Sequence, residues 1–478
     1  MKKILTSEII PVILAGGSGS RLWPISRANE PKPFIKFFNK KSLFQEAIIR
    51  ARIHNKTNII VVLRQELFFI AKDQAEELNI TITFLLEPDS RNTAAAILMA
   101  AKFIGEKFGN DKHMLIMPSD HFIDKINLYK TAIKSSVSLS AKNEIVVFGI
   151  NPTFPHTGFG YIEVERTGNR ILSFKEKPSY KYAAQYFQRG NYYWNSGIFL
   201  AKVSAILVAY NKYALRLYQY LMPIVFFNTQ KNVYSIPCLK YKKIPLISFD
   251  CAILEKAKNI SCIKGNFYWD DIGDWKAFSE SKFFKNEGLK INRKNKNLID
   301  NNSISTFYLG TNQDKVVGLI DVENLIIIDS DDALLIADKN SAQKVKDLTS
   351  NIKKSLNNEV LLDHSFVKRP WGSFKVLIAS ESFKVQKIIH NPYSSISLQS
   401  HNKRNEHWIV VEGKAKVING DQALTLYKNE STFVKAKTKH RLSNPFAKKL
   451  IIIEVQSGDY LGEDDIMRFS DDYMRPVM

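Results

Sequence analysis

A glycine-rich segment near the amino terminus combines small residues with one fixed positive charge. The segment VILAGGSGSRLWP (residues 12–24) ends an apolar run and contains three glycines, two serines and Arg21. Loops of this kind bring backbone N–H groups close to an anion, usually a phosphate. The dinucleotide-binding fingerprint would need a third glycine at Leu22, and a Walker A loop would need GK[ST]. Neither is present, which leaves a different phosphate loop or a plain tight turn.

A second cation favours the phosphate loop over the turn. Lys32, in the segment EPKPF, follows Arg21 by eleven residues. Two cations beside a glycine cradle fit a triphosphate better than they fit a turn. Arg21 would stabilise the charge that builds on the leaving phosphates, and Lys32 would add a second contact.

Two acidic segments could supply the Mg²⁺ ligands that accompany nucleotide phosphates. Asp120 follows the apolar run LIMPS, at the end of a predicted strand, where ligands of open α/β sheets collect. The segment WDDIGDW (residues 269–275) contains Asp270, Asp271 and Asp274. Either segment alone could be a solvated acidic turn. The more specific hypothesis is that one carboxylate from each segment binds the same Mg²⁺ ion.

The carboxy-terminal region contains a second group of residues suited to chemistry. In the segment LQSHNKRNEHW (residues 398–408), Gln399 and His401 alternate and would therefore share one face of a strand. Glu406 follows in the next stretch, and His440 lies further along. Such a set suits a divalent transition metal such as Zn²⁺, Co²⁺ or Mn²⁺.

The elements that must position these residues fall into three predicted domains. In residues 1–285, apolar β runs alternate with helical patterns, which predicts a Rossmann-like α/β domain with a mostly parallel sheet. Residues 286–358 predict a small, β-helix-like β insert closed by a helix. In residues 359–478, short strands recur about every ten residues without helices, which predicts an all-β sandwich or jelly-roll barrel.

Composition limits the class of protein. The 478 residues are 45% hydrophobic and 12% aromatic, which excludes a disordered or fibrous chain. The net charge of +21 favours anionic partners. The lysines are scattered, however, and no helix-turn-helix, zinc-finger or RNA-recognition pattern occurs, so we expect no nucleic acid partner.

Cysteine usage and hydropathy predict a cytoplasmic protein without a membrane partner. The three cysteines, Cys238, Cys251 and Cys262, are odd in number and lack CxxC spacing, which indicates reduced thiols. No apolar run approaches the 18 residues that a spanning helix needs. The apolar run at the amino terminus is better explained as the first strand than as a signal peptide. The oligomeric state stays open, with a homo-oligomer as one option.

Seven motifs in order resemble those of the sugar nucleotidyltransferases: GGSGSRLWPISR, PKPF, EPDSRNTAAAI, PSDH, FKEKP, WNSGIF and WDDIGDW. Within that family the chain looks most like the mannose-1-phosphate guanylyltransferases of the bacterial bifunctional type. The resemblance implies Mg²⁺-dependent transfer of GMP from GTP to mannose 1-phosphate, which yields GDP-mannose and pyrophosphate. The product would feed polysaccharide synthesis.

The resemblance also implies roles for residues at matching positions. The implied nucleotide-binding residues are Leu14, Gly16, Gly17, Gly19, Arg21 and Asn92, with Lys32 on a phosphate. Asp120 and Asp271 would be the Mg²⁺ ligands. The implied sugar-phosphate residues are Gly160, Glu176, Lys177 and Asn195. Arg21, Lys32, Asp120 and Lys177 would be catalytic, although Lys177 could instead form a plain surface ion pair with Glu176.

The tail resembles the cupin domain of type II phosphomannose isomerases. The matching segments are RPWGSF, LQSHNKRNEHWIVVEG, NESTF, HRLSNP and EVQSGDYLGEDDI. The resemblance implies interconversion of fructose 6-phosphate and mannose 6-phosphate. The metal ligands would be Gln399, His401, Glu406 and His440, holding Zn²⁺ or Co²⁺. Arg404 would be a catalytic or phosphate-binding group.

One departure from the family pattern keeps an alternative open. The family commonly reads Q-x-H-H-H-R, whereas Asn402 and Lys403 follow His401 here. The chain could therefore be a monofunctional guanylyltransferase with a catalytically silent, structural cupin. A non-enzymatic sensor of sugar nucleotides is a second rival. An enzyme for ATP or glucose 1-phosphate is a lesser variant. The expected partners are GTP, mannose 1-phosphate and hexose 6-phosphates.

Overall fold

The computed structural model describes residues 8–17, 19–37, 41–237, 241, 243–282, 297–312, 314–355 and 359–473. The chain forms two compact units, one of Met1–Ser330 with Leu334–Leu356 and one of Asp331–Ala333 with Asn357–Met478. Cys251 and Cys262 are free thiols, and Cys238 lies outside the described residues. Among the described helices, none has both the length and the apolar character needed to cross a membrane.

The larger part of the first unit alternates strands with helices. Its strands are β1 (Ile9–Leu14), β2 (Ile60–Arg64), β3 (Thr83–Glu87), β4 (His113–Pro118), β5 (Phe122–Asp124), β6 (Ile145–Ile150), β7 (Tyr161–Val164), β8 (Ile171–Lys175), β9 (Tyr192–Lys202), β10 (Phe227–Gln230), β11 (Val233–Ser235), β12 (Ile260–Gly265) and β13 (Tyr268–Asp270). Its helices are α1 (Leu43–Arg52), α2 (Phe68–Glu76), α3 (Asn92–Phe108), α4 (Ile126–Ala141), α5 (Tyr180–Arg189), α6 (Val203–Tyr213), α7 (Leu215–Leu221) and α8 (Trp275–Glu280). Short helical turns occur at Ser20–Leu22, Lys32–Phe34, Gln65–Leu67 and Asp250–Leu254.

Eleven of these strands form one mixed sheet. The order is β10-β11-β3-β2-β1-β4-β9-β6-β12, with β7 and β8 paired beside β9. The run from β11 to β4 is parallel, as the sequence predicts, and β9 lies antiparallel between β4 and β6. Leu14 at the end of β1 pairs with Pro118 at the end of β4. The glycine-rich segment and the Asp120 segment therefore leave the sheet at the same edge.

Both faces of the sheet are buried, which explains why β1 is apolar throughout. Ile9 and Ile13 pack into the core that contains α1, α2 and α4, whereas Ile10 and Val12 pack into the core that contains α3 and α6. Side chains alternate between the two faces of a strand, so a strand covered on both faces needs apolar residues at every position.

The remainder of the first unit is the expected small β insert. Its strands are β14 (Leu298–Asn301), β15 (Phe307–Gly310), β16 (Val317–Ile320), β17 (Leu325–Asp329) and β18 (Leu334–Asp338). β14 pairs in parallel with β16 and β15 pairs in parallel with β17, the pairing of a coiled β-helix. A short helix at Lys339–Lys344 and α9 (Val345–Ser355) follow.

The second unit is an all-β sandwich after a short helix, α10 (Glu359–Leu362). Its strands are β19 (Phe366–Arg369), β20 (Gly372–Ala379), β21 (Phe383–His390), β22 (Ser394–Ser395), β23 (Leu398–His401), β24 (Arg404–Glu412), β25 (Ala415–Asn419), β26 (Gln422–Leu426), β27 (Ser431–Val434), β28 (His440–Asn444), β29 (Leu450–Gly458) and β30 (Ile466–Ser470). They form two six-stranded sheets, β19-β20-β21-β29-β24-β27 and β26-β25-β28-β23-β30, with β22 beside β28 in the second. Trp408, Val417 and Ile452 belong to the core of this unit. The fold class expected from the sequence is confirmed.

Candidate active sites

A cavity of about 510 Å³ opens at the carboxyl ends of the parallel strands of the first unit. This is the edge where open α/β sheets bind their ligands. Ten residues singled out in the sequence line it: Leu14, Gly16, Gly17, Asn92, Asp120, Gly160, Glu176, Lys177, Asn195 and Asp271. Gly19, Arg21 and Lys32 are not among the lining residues.

The glycine-rich segment lies directly on the segment that contains Lys32. Gly19 has a left-handed φ of 58°, and a Cβ built on it would be 2.7 Å from Lys32 Cβ. Any side chain there would force the two segments apart, so this position requires glycine. Arg21 is exposed in the short helix Ser20–Leu22, and Ser18 lies outside the described residues.

Lys32 connects the two acidic segments. Its side chain is buried, and its Nζ lies 2.8 Å from Asp120 Oδ2. The same ammonium donates a hydrogen bond to the backbone carbonyl of Asp271. Lys32 therefore holds the segment after β4 against the segment after β13. The lysine does not itself line the cavity.

The carboxyl groups of Asp120 and Asp271 have opposite pKa shifts. Burial of Asp120 opposes its ionisation, but the charge of Lys32 and its hydrogen bond to the carboxylate outweigh this effect and hold the pKa of Asp120 below the usual value. Burial raises the pKa of Asp271 to about 6, and Asp270 and Asp120 add to that rise although Lys32 opposes it. A second cation would favour ionisation of Asp271. Two carboxylates that face one cavity are also the oxygen donors that Mg²⁺ prefers, so the residues fit this ion.

The opposite end of the cavity contains a polar network. Asn195 Nδ2 donates to Asp250 Oδ1 at 2.8 Å, and the Asn195 N–H donates to the Gly160 carbonyl. A Cβ on Gly160 would approach Glu176 Oε2 to 2.7 Å, so the absence of a side chain lets Glu176 reach the cavity. Lys177 is exposed, with its Nζ 2.9 Å from Glu176 Oε1, which is the ion pair left open as an alternative in the sequence.

Two acids in this cavity were not assigned from the sequence, the buried Glu87 and the half-buried Asp250. Burial and the nearby Glu176 raise the pKa of Asp250 to about 6. Burial raises the pKa of Glu87 to about 7, and the Tyr241 hydroxyl donates to its Oε1. Glu87 is the last residue of β3, at the carboxyl edge of the sheet. An acid at that position in the sequence could have indicated a cavity residue. Asp250 has no comparable signal in its local sequence.

His121 is a further residue that sequence reasoning missed. The Trp269 indole N–H donates to His121 Nδ1 at 3.1 Å. An indole can only donate, so Nδ1 accepts and the ring proton sits on Nε2. Burial lowers the pKa of His121 to about 4, which keeps the ring neutral beside Asp120.

In the second unit, three of the four expected metal ligands meet at one point. His401 ends β23, Glu406 is on β24 and His440 begins β28. The ligand atoms of these three buried residues lie within 4.8 Å of one another. His401 Nε2 is 3.1 Å from Glu406 Oε1, and His440 Nε2 is 3.7 Å from Glu406 Oε2. Gln399 pairs directly across from His440 and therefore faces the same side.

The protonation state of His440 indicates what this cluster binds. Its Nδ1 donates to the Thr438 carbonyl at 2.8 Å. Burial lowers the pKa of His440, so its Nε2 is an unprotonated, buried nitrogen with no hydrogen-bond partner. A lone pair aimed at the carboxylate of Glu406 is repulsive without a cation between them. A histidine whose other nitrogen is fixed by a carbonyl is the common arrangement at metal sites. The residues fit a divalent metal.

Arg404 also binds the Glu406 carboxylate. Its Nε donates to Glu406 Oε1 at 3.1 Å, and its Nη1 donates to the Gly462 carbonyl at 2.9 Å. Burial alone would raise the pKa of Glu406, but the contact with His401 and the charge of Arg404 hold it well below the usual range. Glu406 is therefore ionised and ready to bind a metal.

The two residues that depart from the family pattern lie outside this cluster. Asn402 and Lys403 are exposed, and their N–H groups donate to Asp465 Oδ2 at 3.0 and 2.9 Å. Lys403 Nζ lies over the ring of Tyr460. The substitutions therefore leave the positions of His401 and Glu406 intact.

A cavity of about 100 Å³ opens beside the cluster. Gln399, Arg404 and Glu406 line it, and so do several residues that the sequence analysis did not assign: Arg369, Lys384, Gln386, Glu454, Gln456 and Arg468. Burial and the nearby Glu406 raise the pKa of Glu454, whose carboxylate accepts from Trp408 Nε1 and Gln456 Nε2.

The chain combines a mixed α/β sheet and its glycine-lined cavity with a β-helix and a double-sheet β domain. This combination defines the class of nucleotidyltransferases with an appended cupin. Family profiles agree: Nucleotidyl transferase matches residues 10–287, MannoseP isomerase/GMP-like beta-helix domain matches residues 305–351, and Mannose-6-phosphate isomerase C-terminal matches residues 356–471.

Relatives of known name match over nearly the whole chain. It is 34% identical over 475 residues to a mannose-1-phosphate guanylyltransferase of Sinorhizobium fredii, covering 97% of this chain and 91% of that protein. It is 35% identical over 481 residues to the xanthan biosynthesis protein XanB of Xanthomonas campestris, covering 98% and 100%. It is 37% identical over 476 residues to the alginate biosynthesis protein AlgA of Pseudomonas putida, covering 98% and 96%. The chain belongs to the mannose-1-phosphate guanylyltransferase family, in the branch with a C-terminal mannose-6-phosphate isomerase domain.

A solved structure is similar to most of the chain. It is the crystal structure of a Thermus thermophilus protein named as a mannose-1-phosphate geranyltransferase. The TM-score is 0.59 at 26% identity, and the match covers 72% of this chain and 99% of that one.

Proposed function

We propose that the first unit transfers GMP from GTP to mannose 1-phosphate and releases pyrophosphate. The observation that carries this proposal is that one cavity gathers Gly16 and Gly17, Asp120 and Asp271, and the Glu176–Asn195 network. GTP would lie on the glycine-rich segment, with Leu14, Gly19 and Asn92 as further contacts. Mannose 1-phosphate would lie against Gly160, Glu176, Lys177 and Asn195.

The chemistry requires alignment and charge compensation rather than a covalent nucleophile. The sugar phosphate is already anionic at neutral pH and attacks the α-phosphorus in line as pyrophosphate leaves. Mg²⁺, held by Asp120 and Asp271, would supply charge neutralisation on the phosphates. Lys32 positions both acids, and Arg21 at the exposed end of the loop would stabilise the pyrophosphate charge. Lys177 would orient the attacking phosphate.

Pyrophosphate release from GTP and mannose 1-phosphate tests this proposal. We expect Asp120→Asn to lose at least a hundredfold in kcat/KM. The matched control is Asp111→Asn, an exposed carboxylate on the loop that leads into β4. Binding of GTP without any pyrophosphate release would favour the sensor instead. Turnover of ATP or glucose 1-phosphate in preference would correct the substrates.

For the second unit we propose isomerisation of fructose 6-phosphate and mannose 6-phosphate. The observation that carries it is the buried His401–Glu406–His440 cluster with an unprotonated His440 Nε2. The step moves a proton between C1 and C2 through an enediol. A Zn²⁺ or Co²⁺ ion, held by these residues and Gln399, would stabilise the enediol oxygens. Arg404 orients Glu406 and would face the substrate at the cavity.

The isomerase is tested with His401→Ala beside the matched control His407→Ala. His407 is exposed on β24 and contacts Ser431. We expect metal content and isomerase turnover to be lost in His401→Ala alone. Wild-type protein that makes GDP-mannose but isomerises nothing with any divalent metal would leave the cupin as a structural module.

We further propose a division of labour among residues 1–285, 286–358 and 359–478, as transferase, β-helix linker and isomerase. GTP and hexose phosphates are cytoplasmic metabolites, which supports a cytoplasmic site of action.

A further inference from the structure

A row of inward-facing side chains runs from Glu406, in the His401–Glu406–His440 cluster, to Lys384 on β21. Glu406 on β24 pairs with Gln456 on β29, and Gln456 pairs with Lys384 on β21. Residues paired across neighbouring strands point to the same face of the sheet. Lys384 therefore faces the cavity beside Glu406, two strands away, with the Cα atoms roughly 10 Å apart.

Gln386 extends this polar surface. It lies two residues from Lys384 on the same face of β21, is 7% exposed and lines the cavity. Within the described residues, no group hydrogen-bonds to its amide. A buried amide without a protein partner is costly, so this one is suited to a polar ligand.

Other cations at the cavity already have partners. Arg404 contacts Glu406 and the Gly462 carbonyl. Arg369 Nη2 is 3.4 Å from Glu463 Oε1 and its Nη1 is 3.8 Å from Asp363 Oδ1. In contrast, no carboxylate of the described ranges pairs with Lys384.

We propose that Lys384 binds the phosphate group of the hexose 6-phosphate, and that Gln386 beside it binds a hydroxyl of the sugar. This inference rests on the proposed isomerase function and deepens it. The reacting C1–C2 end of the substrate lies at His401 and Glu406. The phosphate, at the far end of a six-carbon chain, then reaches the cation two strands away.

This arrangement would give the second unit its requirement for a phosphorylated sugar. A lysine ammonium makes charge-assisted hydrogen bonds to phosphate oxygens, which are stronger than neutral ones. Removing it weakens binding of the phosphate in the ground state and the transition state alike. The loss should therefore appear in KM and leave kcat nearly unchanged.

The test compares Lys384→Met with Lys387→Met in the full-length, metal-loaded protein. Lys387 lies on the same strand with its side chain exposed to solvent, which makes it a matched control. We expect Lys384→Met to raise KM for mannose 6-phosphate about tenfold to a hundredfold, with kcat changed less than threefold. Lys384→Arg should recover most of the loss, and the bound metal should be the same in all variants.

Binding of fructose 6-phosphate by calorimetry gives a readout that does not depend on turnover. We expect the Kd to weaken by the same factor in Lys384→Met, and inorganic phosphate to compete in the wild type but not in this variant. Unchanged KM and Kd in Lys384→Met, in a protein that isomerises, would overturn the inference and leave the isomerase standing. Lys384-dependent binding without turnover would support the inference and reject the isomerase. Wild-type protein that binds no sugar phosphate would overturn both.

Discussion

Gly19 lies so close to Lys32 that a Cβ on the glycine would be 2.7 Å from the lysine Cβ. Lys32 in turn contacts the Asp120 carboxylate and the Asp271 carbonyl. The glycine-rich segment and the two acidic segments are therefore packed together, and we expect a change in the glycine-rich segment to reach the carboxylates through Lys32.

We expect Gly19→Ala to lower the guanylyltransferase kcat/KM at least tenfold and to destabilise the first unit by about 1–3 kcal/mol. The reason is the combination of left-handed φ and direct contact with Lys32. Thermal unfolding and pyrophosphate release would measure the two effects. Gly17→Ala is the stability control, because a Cβ there meets nothing within 4 Å. Equal melting temperatures for both variants would refute the packing argument.

Glu87 should make the stability of the first unit fall as the pH rises. Its folded-state pKa is about 7, above the ordinary 4.5. The folded state therefore holds the proton more tightly, and stability is lost between about pH 4.5 and 7, by up to about 3 kcal/mol. Glu87→Gln keeps an acceptor for the Tyr241 hydroxyl and removes the ionisation.

Urea unfolding of the first unit at pH 5 and pH 8 checks this expectation. The wild type should lose more stability between these values than Glu87→Gln, and the variant should be the more stable protein at pH 8. Parallel stability curves for the two proteins would show that Glu87 ionises normally.

Removing the proposed metal ion should destabilise the second unit. Without a cation, the unprotonated His440 Nε2 faces the Glu406 carboxylate in a buried site. We expect a chelator to lower the melting temperature of this unit by several degrees, and Zn²⁺ or Co²⁺ to restore it. His401→Ala should be insensitive to both additions. A chelator effect that persists in His401→Ala would place the metal elsewhere.

Restoring the histidines of the family pattern should change little. In Asn402→His/Lys403→His, the new side chains would project from an exposed turn whose backbone is held by Asp465. We expect metal affinity and isomerase kcat within about threefold of the wild type, because neither side chain reaches the cluster. A tenfold gain in kcat would show that this turn closes over the substrate.

The parts of the sites that the sequence predicted are those encoded locally. The glycine-rich segment directly follows an apolar strand, and the alternation of Gln399 and His401 places both on one face. Asp250 could not be assigned in this way, because its partner Asn195 comes from another element of the fold, 55 residues away along the chain.

Lys384 shows the same limit for the second unit. The alternation of side chains along β21 is visible in the sequence. Which of the two alternating sets faces the cavity depends on the pairing of β21 with β29 and of β29 with β24. Only the register shows that Lys384 and Glu406 share a row.

The hydrogen bond from the Trp275 indole to the Trp23 carbonyl joins residues that are 252 positions apart, and Asp271 lies just before that tryptophan. During synthesis on the ribosome, the glycine-rich segment emerges first and the acidic segment that completes its cavity emerges among the last of the domain. A nascent chain that stops short of residue 271 lacks one of the two proposed Mg²⁺ ligands. The order of translation thus delays nucleotide chemistry until nearly the whole transferase domain has been made.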